Sequence, residues 1–208
     1  MKISLCLLVF AALSCAAQET PAIQGHHMGE TVLEYLKVEN AGETLTRCHD
    51  FLLDPATEKL AQKDIAVKMR IESCLNLAHV IETGAGTLGA ADVKRITPGH
   101  AAFDQGKLVL MELDFWNLPT LKPLYSFDST LHDFSLKFGA PAQTWSDDFQ
   151  NGYGARLSFR RAAWGTKDTL VLLSEMQMDS STAVIEDKAF AHKSAQAAET
   201  GHKNALDR

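Results

Sequence analysis

The chain has 208 residues with a formal net charge of -6 at pH 7, and 46% of the residues are hydrophobic. This length is sufficient for one domain, or two small ones, with a buried core. The excess of acidic residues argues against a nucleic acid or an acidic membrane surface as a partner recognised by bulk positive charge.

The N-terminus predicts export. One lysine precedes residues 3–13, an apolar run of 11 that is too short to span a bilayer but typical of a signal-peptide core. Small residues follow, so we expect cleavage after Ala16 or Ala17, which removes residues 1–17 and leaves a periplasmic or secreted protein. A second outcome stays open, because the residues around Cys15 resemble a lipobox, in which the cysteine is acylated and anchors the chain to a bacterial membrane.

Two polar segments flank the predicted fold. Residues 18–29 predict a linker in which His26 and His27 are solvated, since neighbouring histidines in a flexible segment lack the fixed geometry of a metal site. Residues 191–208 contain almost no large apolar side chain, so this tail is expected to be disordered or a frayed helix.

Helical patterns fill residues 30–83. Thr31 with Glu34 fits a capping box, and Asp54 before Pro55 marks the start of a further helix. Apolar residues between these signals recur at intervals of three and four, as they do on one face of a helix. We therefore expect several helices that each turn one apolar side to a core.

The cysteines predict one disulfide. Cys6 and Cys15 belong to the leader, so Cys48 and Cys74 are the two certain to remain in the fold. Each lies in the apolar stripe of its predicted helix, and an exported protein folds under oxidising conditions. The alternative is a pair of reduced cysteines that act as small apolar residues.

Residues 84–190 predict an antiparallel sheet of four to five strands with one helix packed on its face, so the fold class is α+β. A short strand over residues 93–96 precedes a hairpin of residues 100–103 and 107–115, joined by a three-residue loop at 104–106. Alternation along this hairpin puts Met111 on the core face and Leu108 on the other face. Residues 126–138 place aromatic side chains at helical spacing, so this helix is expected to lie across the hairpin. Residues 183–187 are expected to be a last strand. The sheet and the helical segment are expected to form one domain.

A second hairpin is predicted from residues 155–164 and 169–177. Its alternation assigns Leu157 and Phe159 to the core face, and Arg156, Ser158 and Arg160 to the face in water. Arg161 breaks this scheme because it falls on the apolar side, which predicts a bulge or an edge position there.

No motif in the chain predicts chemistry. A nucleophile elbow, a P-loop, a zinc-protease motif and a clustered Cys/His pattern do not occur, so we assign no catalytic, cofactor-binding or metal-binding residue. Gly84, Gly86 and Gly89 match a dinucleotide pattern in form, but they follow a helix and therefore predict a flexible connection. The adjacent Asp147 and Asp148 are expected to be solvated in a loop.

The second hairpin supplies a candidate partner-binding face. Arg156, Arg160 and Trp164 form a strip of positive and aromatic side chains suited to an anionic partner. The competing interpretation is a solvated strand face, because mixed charges commonly line open sheets.

Three motifs, taken in order, resemble a set of exported bacterial proteins of uncharacterised function, found especially in acidobacteria. They are the turn FDQGKL at residues 103–108, the helix end LHDFSLKFGAP at 131–141 and the run QNGYGA at 150–155. The pattern covers residues 29–190 and includes a comparable cysteine pair. More distantly, the arrangement is similar to small outer-membrane lipoproteins of the BLIP-like group, and this implies a binding or assembly module without active-site residues to transfer.

The sequence leads to two functional hypotheses. The first is a non-enzymatic binding or structural module of the cell envelope, whose partner is another envelope protein and which touches a membrane only if Cys15 is acylated. The alternative is a small-ligand carrier or enzyme with a pocket between helix and sheet near His100 and His132, where the two histidines serve as acid and base.

Overall fold

The fold consists of helices on one side of a single sheet. The computed structural model describes residues 21–89, 92, 99–115, 126–150, 152–176 and 180–206, with side chains up to residue 197. Its helices are α1 (Val32–Val38), α2 (Gly42–Leu53), α3 (Pro55–Ala61), α4 (Ile65–Thr83), α5 (Phe127–Phe138) and α6 (Lys188–Leu206). Its strands are β1 (Gly86–Gly89), β2 (Gly99–Asp104), β3 (Lys107–Phe115), β4 (Gln143–Gln150), β5 (Arg156–Gly165), β6 (Thr169–Glu175) and β7 (Ser181–Asp187). The predicted signal peptide, Cys15 and the predicted strand 93–96 lie outside the described residues.

All seven strands form one antiparallel sheet in the order β1-β2-β3-β7-β6-β5-β4. The predicted α+β class is confirmed, but the predicted number of four to five strands is wrong. The two edge strands account for the difference. β1 has only four residues, and β4 contains Asp147 and Asp148, which the sequence assigned to a solvated loop. Edge strands tolerate charged side chains because one side of their backbone already faces solvent.

β7, the last strand in chain order as predicted, joins the two hairpins. Ala183 pairs with Leu113 of β3 and with Leu173 of β6, and Ile185 pairs with Met111 and with a buried valine of β6. All of these side chains are at most 1% exposed. One side of β7 therefore lies at the centre of the core.

Two helix groups cover the same face of the sheet. α5 packs on β5 and β6 through Phe127 and Phe134, whereas α1 and α4 pack near β1 to β3 through Tyr35, Leu77 and their neighbours. Met28 contacts both buried clusters. The sequence predicted one helix on the sheet, but helices of the N-terminal segment contribute to the same layer.

Local signals define several helix ends as predicted. Thr31 and Glu34 form the capping box, in which the Thr31 N–H donates to Glu34 Oε2 at 2.7 Å. Asp54 caps α3 by accepting a hydrogen bond from the Ala56 N–H at 2.9 Å, with Pro55 in the first turn. These contacts satisfy backbone amides that have no partner within the helix.

The hairpin of β2 and β3 is tighter than predicted. Its turn has two central residues, Gln105 and Gly106, with φ of 52° and 78°, rather than a three-residue loop. The pairing shifts between Ala102 and Phe103, so Leu108 pairs with Phe103. This irregularity turns Leu108 into the core, where it is fully buried, although simple alternation placed it on the other face.

The glycines after α4 are part of the fold rather than a flexible connection. Gly84 ends α4 in the left-handed conformation, and its carbonyl accepts a hydrogen bond from the Gly106 N–H at 2.6 Å. A Cβ at Gly84 would lie 2.8 Å from Gly106 Cα, so only glycine permits this contact. The helix end and the hairpin turn are therefore packed directly together.

The predicted disulfide is confirmed. Cys48 of α2 is bonded to Cys74 of α4, with 5.3 Å between their Cα atoms. α4 buries Cys74, Leu77 and Val80, whereas α2 has no fully buried residue. The covalent bond therefore holds a helix that contributes little to the core by itself.

Replacement of both Cys48 and Cys74 by serine is expected to lower the free energy of unfolding by about 3.5 kcal/mol. The bond joins residues 26 positions apart, and closing a loop of that length reduces the conformational entropy of the unfolded chain. Urea denaturation of the oxidised wild type and the double variant measures the difference. The wild type under reducing conditions is the control and should match the variant. Equal midpoints for oxidised wild type and variant would contradict the expectation.

Candidate functional site

The second hairpin turns the opposite face to the core from the one predicted. Trp164 and Ala162 are 3% and 0% exposed and lie in the cluster beneath α5. Leu157 and Phe159 have the other parity in β5, so they face away from the helices. Their assignment to the core is therefore wrong. Arg161 shares their face in regular pairing with β4 and β6, so the predicted bulge does not occur at this residue.

The β4–β5 ribbon carries an exposed turn. β4 and β5 pair from Gln150 opposite Arg156 onward, and within the described residues the pairing of β5 with β6 begins at Arg161. Tyr153, in the turn that joins β4 to β5, is 99% exposed. Leu157 and Phe159 of this ribbon are partly exposed on the face opposite the helices. This end of the ribbon is therefore accessible to solvent.

An apolar groove lies where this ribbon passes the end of β6. Its apolar lining consists of Phe149, Leu157, Phe159 and Met176, and its volume is about 720 Å³. The Phe149 and Phe159 rings are 5.9 Å apart between centroids, and Phe149 and Met176 remain 50% and 47% exposed. Large apolar side chains are therefore collected in one open concave surface, which we call the ribbon groove.

Two polar pairs lie on the same face of the sheet. The Arg161 Nε–H donates to Asp147 Oδ2 at 2.9 Å, and the Trp145 indole N–H donates to Asp147 Oδ1 at 3.1 Å. At the other side of the groove, the Thr182 hydroxyl donates to Asp114 Oδ1 at 2.9 Å. Arg161, Asp114 and Thr182 line the groove. It therefore combines an apolar wall with a small number of fixed polar groups.

The predicted partner-binding strip lies on the helix-facing side of β5 and has mixed exposure. Trp164 is buried and donates its indole N–H to a backbone carbonyl just after α5 at 2.9 Å. Arg160 binds Glu175 at 2.8 Å and Asp128 of α5 at 2.7 Å, while Arg156 is exposed. Hydrogen bonds from Arg160 hold the pKa of the Glu175 carboxyl below its usual value. In this conformation Trp164 is not accessible to a partner, and Arg160 fastens α5 to the sheet.

The structure does not bring His100 and His132 together. His100 pairs with Glu112 and lies on the open face of the sheet, whereas His132 is exposed on α5, which packs on the other face. Phe127, Phe134 and Met111 belong to one buried cluster between this helix and the sheet. The space in which the sequence placed a pocket is therefore occupied by core side chains.

His26 is buried, although the sequence predicted that it lies in a solvated linker. Its Nδ1 lies 2.6 Å from Glu30 Oε1 and its Nε2 lies 2.8 Å from Glu39 Oε1, and its ring stacks on Tyr35 at 4.2 Å. Nearby Ile23 is buried in the core, so residues 21–29 are part of the fold. Both ring nitrogens are engaged by carboxylates, which leaves neither for a metal. Of its two partners, only Glu30 is close to His26 in sequence. The pattern His26-x₃-Glu30 before α1 is therefore the signal that the sequence offered.

The charge of His26 is controlled by competing effects. Burial by itself would lower the pKa of the imidazole, but the hydrogen bonds and negative charges of Glu30 and Glu39 together outweigh burial and raise the pKa above 6.5. The protonated ring thus links the segment before α1 to Glu39 at the end of that helix.

Comparisons add no named relative. A search of protein-family models, of curated proteins and of solved structures finds no match to this chain. Across the described ranges, no group of three or more His, Cys, Asp or Glu residues is arranged to hold a metal ion. No helix in the same ranges combines the length and the hydrophobicity that a bilayer span requires. The functional interpretation therefore depends on the geometry of the ribbon groove.

Replacement of His26 by glutamine is expected to cost about 1–3 kcal/mol, because the Glu30 and Glu39 carboxylates lose a buried partner. The pKa of His26 is raised in the folded state. This stabilisation is therefore fully present below about pH 6.5, and it is lost as the pH rises through the pKa that His26 has in the folded protein. The urea midpoints of wild type and variant should differ below about pH 6.5 and should converge at high pH. The control is His27→Gln, at an exposed residue, and parallel profiles for wild type and His26→Gln would contradict the prediction.

The two faces of β5 are expected to respond differently to truncation. Trp164→Ala should cost about 3–5 kcal/mol because it opens a cavity beneath α5. Phe159→Ser should cost less, about 1–2 kcal/mol, because the Phe159 side chain is only partly buried and lines an open groove. Denaturation midpoints of both variants test the face assignment, and a larger loss at Phe159 than at Trp164 would overturn it.

Proposed function

We propose that this chain is an exported, non-enzymatic binding module of the cell envelope that uses the ribbon groove to bind another protein. The observation that carries the proposal is the position of Phe149, Leu157, Phe159 and Met176 in an open groove instead of the core. Single exposed apolar residues are ordinary, whereas a concave cluster of them is typical of an interaction site.

The energetics of the groove favour a protein partner. Removing one large apolar side chain from water is worth about 1.5–3 kcal/mol, so covering the half-exposed Phe149 and Met176 and the partly exposed side chains beside them contributes to a specific affinity. The groove is already open, so these side chains are accessible without any rearrangement of the core. Such a preformed surface reduces the entropy lost on association.

A non-enzymatic role is supported by the polar groups of the groove. Arg161 is neutralised by Asp147, and Glu175 is neutralised by Arg160. These groups are suited to orienting a partner rather than to transferring protons.

The envelope location is supported by the signal-peptide pattern of residues 1–17 and by the disulfide. Both a free periplasmic or secreted protein and a chain anchored through Cys15 agree with these features. In either case the partner proposed is another exported protein.

Site-specific photo-crosslinking tests the proposal. A photoreactive phenylalanine analogue at Phe149 is expected to give a discrete crosslinked species in cells that produce the protein naturally. The matched control places the analogue at Leu136, which is 75% exposed on α5 and lies away from the groove. The species should disappear when Phe159→Ser is added. Equal crosslinking from both positions, or none from Phe149, would contradict the proposal.

A further inference from the structure

Charge in the ribbon groove is unevenly compensated. Arg161 lies 2.9 Å from Asp147, and Glu175 lies 2.8 Å from Arg160. Asp114 has a hydrogen bond from the neutral Thr182 hydroxyl, and within the described residues it has no ion pair. Asp114 is also partly withdrawn from solvent. Among the residues that the structure describes, one negative charge of the groove thus has no cation beside it, in a protein whose net charge is already -6.

The distance between this charge and the apolar wall determines the size of an occupant. Asp114 lies on β3 and Phe159 on β5, which are three steps apart in the order β3-β7-β6-β5. At about 4.8 Å per step the two strands are separated by about 14 Å. A single side chain is too short for this span, whereas an extended peptide covers it with about four residues at ~3.4 Å each.

We propose that the ribbon groove binds an extended segment of another protein in which apolar side chains are followed, about four residues away, by a lysine or arginine that pairs with Asp114. This inference rests on the proposed function and specifies the chemistry of the partner. The apolar side chains of the segment contact Phe149, Leu157, Phe159 and Met176, and its cation completes the charge balance of the groove.

Selection of short random peptides of about seven residues against the complete mature chain tests this specificity. The expected result is enrichment of peptides with large apolar residues and one basic residue about four positions away. Enrichment of acidic peptides, of apolar peptides without a basic residue, or of no peptide would overturn the inference.

A double-mutant cycle then tests the contact with Asp114. Asp114→Asn retains an oxygen for the Thr182 hydroxyl and should weaken the enriched peptide about tenfold, as expected for a desolvated charge pair. A peptide with its basic residue replaced by glutamine should bind wild type and Asp114→Asn equally. Fluorescence anisotropy measures both affinities, and urea midpoints confirm that the variant is folded.

Two matched variants separate the possible failures. Asp148→Asn removes a charge from an exposed residue on the other face of β4, and it should leave the affinity unchanged. Equal effects of Asp114→Asn and Asp148→Asn would indicate attraction by bulk charge and overturn the inference. If Phe159→Ser weakens binding but Asp114→Asn does not, the cation assignment fails while the proposed function stands. If Phe159→Ser has no effect either, both fail.

Discussion

The pairing of β7 with β3 and β6 is the constraint on which the rest of the structure depends. Because side chains alternate along a strand, the position of Ala183 and Ile185 in the core determines which residues of every neighbouring strand share that face. In β5 this places Trp164 beneath α5 and Phe159 on the opposite side. The core and the ribbon groove are thus two results of one register.

The helical part could be predicted largely from local signals. The capping box at Thr31 and the Asp54-Pro55 start are short-range hydrogen-bonding patterns, and each occurs in the structure. The disulfide was also predictable. Cys48 and Cys74 lie in the apolar stripes of their helices, and the predicted signal peptide directs the chain to an oxidising compartment. These features depend on residues close in sequence or on simple chemistry.

The faces of the second hairpin and the role of His26 could not be predicted in this way. Both faces of β5 and β6 carry large apolar side chains, so alternation cannot choose between Trp164 and Phe159 without the long-range pairing of β7. His26 looks solvated in sequence because one of its partners, Glu39, lies 13 residues away, at the far end of α1. In each case the deciding contact joins residues that are far apart in sequence. Because the faces of β5 were assigned in reverse, Phe159 and Leu157 were placed in the core and the ribbon groove was not predicted.

The acidic edge strand β4 has a consequence for self-association. β4 lies at one edge of the sheet that the structure describes, and an unpaired sheet edge is a common starting point for fibre growth. Asp147 and Asp148 point to opposite faces, where Asp147 is paired with Arg161 and Asp148 is exposed. Copies that approach edge to edge in a crowded compartment bring like charges together, and this repulsion opposes their stacking into a continuous sheet.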